Sequence, residues 1–228
     1  MRVTFQYEIK NLHYSFSETE HYLMLIVDID VIAVLMTSSL VLTSLSGFYG
    51  FACVQLRCLF NKLETRMENL TNIHNCGQVI YIYQELIRIM KSLDESLSYP
   101  AFVIVLSGLL GLFYTNCDVL FVPKEGYLVY ICIALGEIYF SVLFVMVILS
   151  ASAVNNSSAT AKERILSLPG KIPQHYNELK MVVRSECMRD VSLTLWKIYK
   201  IDRSLLISAM GSLLTYGILV ATLGAIKD

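Results

Sequence analysis

Charge is scarce in this chain. Only 16% of its 228 residues are Asp, Glu, Lys or Arg, less than a soluble domain of this length carries. The four histidines, His13, His21, His74 and His175, are scattered, with none of the spacings of a zinc protease or a metal finger. A membrane enzyme needs ligands, or a nucleophile and base, clustered near one membrane face, so no metal site, cofactor or enzymatic activity is expected. Cys53, Cys58, Cys76, Cys117, Cys132 and Cys187 show no close pairing, which favours buried free thiols over a disulfide framework. There is no internal repeat and no low-complexity stretch, whereas a transporter proper shows repeats and spans broken at matching places. Residues Met1 to His21 lack an uninterrupted apolar core, so no cleavable signal peptide is read there. No nucleic-acid partner is expected.

What the chain has in abundance is apolar surface: 55% hydrophobic residues and a mean hydropathy of +0.57. Four runs are long enough to span a bilayer. Val31 to Gln55, Ser96 to Cys117 and Ser204 to Ile226 carry no charge, and Gly126 to Ala161 carries only Glu137. Lipid forces each span to satisfy its backbone internally, so the expected fold class is all-α, a polytopic membrane protein with four transmembrane helices.

The 18 basic and 19 acidic residues nearly cancel, but their distribution is informative. Arg57, Lys62, Arg66, Arg88 and Lys91 lie between the first and second spans. Lys162, Arg164, Lys171, Lys180, Arg184, Arg189, Lys197 and Lys200 lie between the third and fourth, with Arg203 at the mouth of the last helix. The loop between spans two and three holds only Lys124. The positive-inside rule puts both long loops in the cytoplasm and the termini outside. The expected organisation is an outer loop at 1–21, a span at 22–56 and cytoplasmic amphipathic helices at 57–95. A span at 96–117, an outer loop at 118–125, a span at 126–153, a cytoplasmic segment at 154–203 and a last span at 204–226 follow. An external N-terminus without a signal peptide leads to the expectation that an odd number of spans precedes this chain. The sequons at Asn69, Asn155 and Asn156 fall on the cytoplasmic side, where they are not used.

Ser17-Glu-Thr-Glu20 resembles a capping box that opens the first span. Asp28 and Asp30 near its outer end read either as interfacial charges or as the rim of a ligand cleft. The hydroxyls of Thr37, Ser38, Ser39, Thr43, Ser44 and Ser46 read as helix-packing groups. In the first long loop, Leu59, Leu63, Met67 and Leu70, then Val79, Ile82, Tyr83, Leu86, Met90 and Leu93, recur at helical spacing, with Asn75-Cys-Gly77 as a break. These are two amphipathic helices extending the membrane helices. Pro100 is read as the first turn of the second span. After the third span the helix continues to Pro169-Gly170. A further amphipathic helix is expected through Tyr176, Leu179, Val183, Met188, Val191, Leu195 and Trp196.

Two places point to function. Glu137 lies near mid-span, where an ionisable group is costly. Tyr130, Ala134, Ser141 and Phe144 share its face, and Tyr114, Tyr130, Glu137 and Ser141 are ligand-pocket candidates. A neutral acid that merely bonds a neighbouring helix is the competing reading. The second place is the last helix. Ser208, Ser212, Thr215, Leu219 and Thr222 follow one another at steps of four and three, beside Gly211, on an otherwise greasy helix. Such a stripe suits close helix packing or a water-lined path.

The run Leu195-Trp-Lys-Ile-Tyr-Lys-Ile-Asp-Arg-Ser-Leu-Leu-Ile-Ser208, followed by Thr215-Tyr216 in an apolar helix, resembles the arthropod gustatory receptors of the insect-type seven-helix chemosensory superfamily. The family signature is Thr-Tyr, five hydrophobic residues, then Gln-Phe. Thr215, Tyr216 and the spacer Gly217–Ala221 fit, and Thr222-Leu223 stands where the family has Gln-Phe. The resemblance covers most of the chain and implies the last four helices of a seven-helix receptor, with three more spans upstream. It implies a multi-pass plasma-membrane protein, a subunit of a homo- or hetero-tetrameric ligand-gated cation channel that responds to a small-molecule tastant. Ser208, Ser212, Thr215, Leu219, Thr222 and Leu223 would then line the pore, with Leu219 and Leu223 as a dry constriction. The alternatives are a non-conducting four-span scaffold or accessory subunit, and an incomplete receptor fragment inactive alone.

Overall fold

The computed structural model describes residues 2–68, 73–121, 127–171 and 191–225, with isolated positions 177, 180, 181 and 183. Helix α1 runs from Arg2 to Glu68, α2 from Ile73 to Phe121 and α3 from Tyr127 to Lys171. A two-stranded antiparallel hairpin follows, β1 (Thr194–Leu195) and β2 (Tyr199–Lys200), and then α4 from Arg203 to Ala225. Four helices contain stretches long and apolar enough to cross a membrane: Met24–Glu68, Cys76–Val119, Tyr127–Gly170 and Arg203–Val220. The described residues are thus almost entirely helical, with four helices long and apolar enough to cross a membrane, as expected from composition.

Several local expectations are corrected. The segment 1–21 is helical from Arg2, not an outer loop. No proline or glycine occurs between Arg2 and Ser46, so nothing stops the helix, and Ser17–Glu20 lies inside it instead of capping it. Likewise α2 passes through Gly77, since one glycine costs a helix only about 1 kcal/mol. Buried Cys76, Val79 and Ile80 flank it and repay that cost. Pro100 lies in the interior of α2, not at its start. Helix α2 also continues through Asp118 to Phe121, into the expected 118–125 loop, whose residues 122–126 lie outside those described. The amphipathic helix expected to reach Trp196 is instead a hairpin at 194–200. Leu195 is buried there, but Trp196 is 51% exposed. Tyr176, Leu179 and Met188, Cys187 and the side chains of the four histidines lie outside the described residues.

The chain divides into two compact units, Met1–Ser44 and Leu45–Asp228. The first is a stretch of helix whose apolar side chains, among them Met24, Ile32, Leu35 and Val41, are exposed. In the second, α1, α2 and α3 contribute the core both inside the expected spans, where Ile104, Leu112, Phe144, Val147 and Ile148 are buried, and at and beyond their boundary. Leu56, Phe60, Leu63 and Met67 of α1 are buried there, with Tyr83, Leu86 and Met90 of α2 and Val154, Ala161, Ile165 and Leu168 of α3. Leu63 and Met67 of α1 and Tyr83, Leu86 and Met90 of α2 belong to the two amphipathic stripes read from the first long loop, whereas Leu59 of the first stripe is 42% exposed. Arg164 adds an ion pair with Glu64 and one with Glu68, each at 2.6 Å.

Packing of α2 on α3 depends on small residues. A Cβ on Gly108 would lie 3.1 Å from Phe144 Cβ, and one on Gly111 would fall within the Phe140 ring. Gly136 faces Thr115 in the same way. These pairs climb one helix while descending the other, so α2 and α3 are antiparallel and close. In contrast, no residue in the most apolar stretch of α4 is buried, against 33% in α2 and 22% in α3.

Candidate functional site: the Glu137 cleft and the last helix

Helix α4 is started by its own sequence. Asp202 Oδ1 accepts the Ser204 hydroxyl at 2.7 Å and the Leu205 N–H at 3.1 Å. That is the N-cap arrangement, which satisfies donors the first turn leaves open. These hydrogen bonds, the Ser204 hydroxyl foremost, hold the Asp202 carboxyl below its ordinary range.

The route into α4 is held by side chains of α2 and α3. Asn155 is buried, and its Nδ2 donates to the carbonyls of Leu193 at 3.1 Å and Ile201 at 2.7 Å. Its Oδ1 accepts the Leu193 N–H at 2.7 Å. Asp94 Oδ1 accepts the Thr194 N–H at 2.6 Å and its hydroxyl at 2.9 Å. At the tip, Ile198 N–H donates to the Leu195 carbonyl at 3.0 Å, and Trp196 and Lys197 have φ of 48° and 58°. Positive φ at both central residues is what a type I′ hairpin turn requires, and it is uncommon for such large side chains. Contacts with α2 hold Trp196 there. Its N–H donates to the Ser98 carbonyl at 3.1 Å, and its ring packs 5.2 Å from Phe102 and 6.0 Å from Tyr99. Pro100 lies in the same turn and supplies no N–H to the helix ladder.

With its start held, α4 turns one side to the protomer. Leu206, Ala209, Leu213, Gly217 and Val220 are half-buried, while Ser208, Gly211, Ser212, Thr215, Leu219 and Thr222 are exposed. At 100° per residue the two sets occupy nearly opposite sides of the helix. The hydroxyl stripe is therefore turned away from α2 and α3. Ser212 donates to the Ser208 carbonyl at 3.0 Å, Thr215 to Gly211 at 2.8 Å and Thr222 to Leu219 at 2.8 Å. Tyr216 is 59% exposed. The side chain of Leu223 lies outside the described residues.

The inner side of α4 closes a cleft of about 390 Å³ against α2 and α3. Leu112, Asn116 and Val119 line it from α2, Glu137 and Ser141 from α3, and Met210, Leu213, Leu214, Gly217 and Ile218 from α4. Within it, the Thr115 hydroxyl hydrogen-bonds Glu137 Oε2, and Asn116 Nδ2 donates to Glu137 Oε1 at 3.4 Å. The Glu137 side chain is thus held by two α2 side chains on the wall of a mostly apolar space, the usual make-up of a small-molecule site.

Of the four pocket candidates, the structure brings Glu137 and Ser141 together and leaves Tyr114 and Tyr130 off the cleft wall, 65% and 42% exposed. Tyr130 shares the Glu137 stripe but sits about 10 Å along the axis from it. Tyr114 points roughly opposite to Asn116, about 200° around α2. Sequence reasoning missed Thr115 and Asn116 as partners of the acid, although a polar pair inside an uncharged span was a usable signal. It also missed the inner face of α4, whose leucines and isoleucine look like lipid-facing residues in sequence. Among the described residues no cluster of three or more His, Cys, Asp or Glu is placed to hold a metal ion. No protein-family model matches the chain, and neither does any curated protein sequence.

Proposed function

We propose that this chain is a subunit of a plasma-membrane chemosensory receptor of the gustatory type, a tetrameric ligand-gated cation channel whose pore is lined by α4. The observation that carries this reading is the orientation of α4. Its stripe of Ser208, Ser212, Thr215 and Thr222 is exposed and turned away from α2 and α3, open to lipid or to another subunit. Hydroxyls are wasted on lipid, and water and hydrated cations need them. Thr215-Tyr216, following Asp202-Arg203-Ser204, stands at the position of the family signature. The cleft beside Glu137 is the place for a small polar ligand, a tastant, and one wall of that cleft is α4 itself. A ligand there bears directly on the helix that would conduct.

A second reading, a non-conducting four-span scaffold, rests on a different observation. Ser212, Thr215 and Thr222 already donate to backbone carbonyls of their own helix, as hydroxyls do where helices pack without water. Electrical recording separates the two. Cells displaying the chain, alone or with seven-helix receptor subunits, should pass cation current when tastant mixtures are applied. Absence of current in every combination, at verified surface expression, would leave the scaffold.

A further inference from the structure

A second cavity, of about 460 Å³, lies away from the Glu137 cleft, between α2, α3 and the hairpin. Tyr83 lines it from α2, Ser158, Lys162 and Glu163 from α3, and Ser192 and Lys200 from the hairpin and its lead-in. We propose that this cavity binds a phosphorylated polyol, such as an inositol phosphate, with Lys162 and Lys200 taking the phosphoryl group.

Two lysines from separate elements open onto one space, and the described lining holds one carboxylate beside them, so that described lining is net positive. A lone ion would leave most of that volume empty, whereas a ring-sized ligand fills it. The hydroxyls of Ser158 and Ser192 donate to phosphoryl or ring oxygens, and Glu163 accepts ring hydroxyls, a feature inorganic phosphate cannot use. Asn155 also lines the cavity, but both ends of its amide are committed to Leu193 and Ile201. It is therefore a fixed wall and not a ligand contact. That clamp holds the strand carrying Lys200 in place before any ligand arrives, which lowers the cost of binding.

Position supports the same chemistry. Lys162 is the first charged residue of α3 after Glu137, and Lys200 stands just before α4. The Lys/Arg asymmetry places both on the cytoplasmic side, where basic pockets at helix ends meet phosphoinositide headgroups and soluble inositol phosphates alike. A ligand bridging them would tie α3 to the start of α4.

The test uses the full chain in nanodiscs, read by the emission of Trp196, the single tryptophan, which lies in the same hairpin as Lys200. One arm titrates soluble inositol hexakisphosphate into phosphatidylcholine discs. The other titrates short-chain phosphatidylinositol bisphosphate. Saturation in the first arm identifies a soluble ligand, and saturation in the second alone identifies a lipid headgroup. Either should weaken about fivefold with Lys162→Gln or Lys200→Gln and more with both, and survive in the Lys162→Arg, Lys200→Arg pair. Lys91→Gln, an exposed lysine paired with Glu95, should leave binding unchanged. No saturation in either arm, or an equal loss with Lys91→Gln, overturns the proposal.

Discussion

Asp94 of α2 holds Thr194 of the hairpin by two hydrogen bonds, one to its N–H at 2.6 Å and one to its hydroxyl at 2.9 Å. A hundred residues of sequence separate the partners. Beside them, Asn155 of α3 binds the first and last residues of the same segment, Leu193 and Ile201. The start of α4 is therefore set by α2 and α3 through one short element. That element links the α2–α3 boundary to α4, beside the direct packing of α4 on α2 and α3 at the cleft.

Breaking this clamp is expected to free the hairpin. Asn155→Ala leaves the Leu193 N–H without its partner in a buried setting, at a cost of about 1–3 kcal/mol. Asp94→Ala removes the bonds to Thr194 with a similar effect. Trp196 emission should shift to the red in both variants as its ring leaves Phe102 and Tyr99. Emission unchanged from that of the parent chain would show that the ring contacts suffice.

Gly111→Ala should destabilise the α2–α3 pair. The new methyl would fall within the Phe140 ring, and overpacking of this kind costs about 1–3 kcal/mol. Helix propensity alone predicts the opposite sign, a gain of about 1 kcal/mol. Thermal unfolding in detergent distinguishes them, and Phe140→Leu in the same chain should restore most of the loss.

The low position of the Asp202 carboxyl has a pH consequence. Because its folded value is depressed, its stabilisation of α4 is present above the ordinary aspartate value and is lost as pH falls through the depressed one. Exchange protection of the first α4 amides should therefore fall only in strongly acidic solution. Asp202→Ala should lose that protection at neutral pH, while Asp202→Asn, also a good N-cap, should keep most of it.

Glu137→Gln tests the cleft. The amide oxygen keeps the Asn116 N–H, its NH2 can donate to the Thr115 hydroxyl oxygen, and the ionisable group is gone. In an assembled receptor a shifted ligand dose–response at equal surface expression is expected. An unchanged dose–response would reduce Glu137 to a packing contact between α2 and α3.

Much of this architecture was legible in sequence because apolar runs and helical stripes are long and repetitive. Leu63 and Met67 on α1, and Tyr83, Leu86 and Met90 on α2, were readable as two apolar stripes, since spacing alone places each group on one face of its helix. Glu137 was legible because an acid in an uncharged neighbourhood is costly. The hairpin was not. Thr194 to Lys200 alternates weakly, contains no glycine at the turn, and is held by Asp94, Ser98 and Asn155, none of them near in sequence. Pro100 and Gly77 misled for the opposite reason: tertiary contacts carried a helix across residues that usually interrupt one.

The central claim is that the outer face of α4 lines a conducting path. Single cysteines from Ser208 to Leu223, in the assembled receptor under voltage clamp, test it most directly with a water-soluble thiol reagent. The account predicts altered current at 208, 212, 215, 219 and 222, the exposed stripe, and none at 213, 217 and 220, the side turned to α2 and α3. A uniform pattern along the helix, or modification centred on 213 and 220, would contradict it.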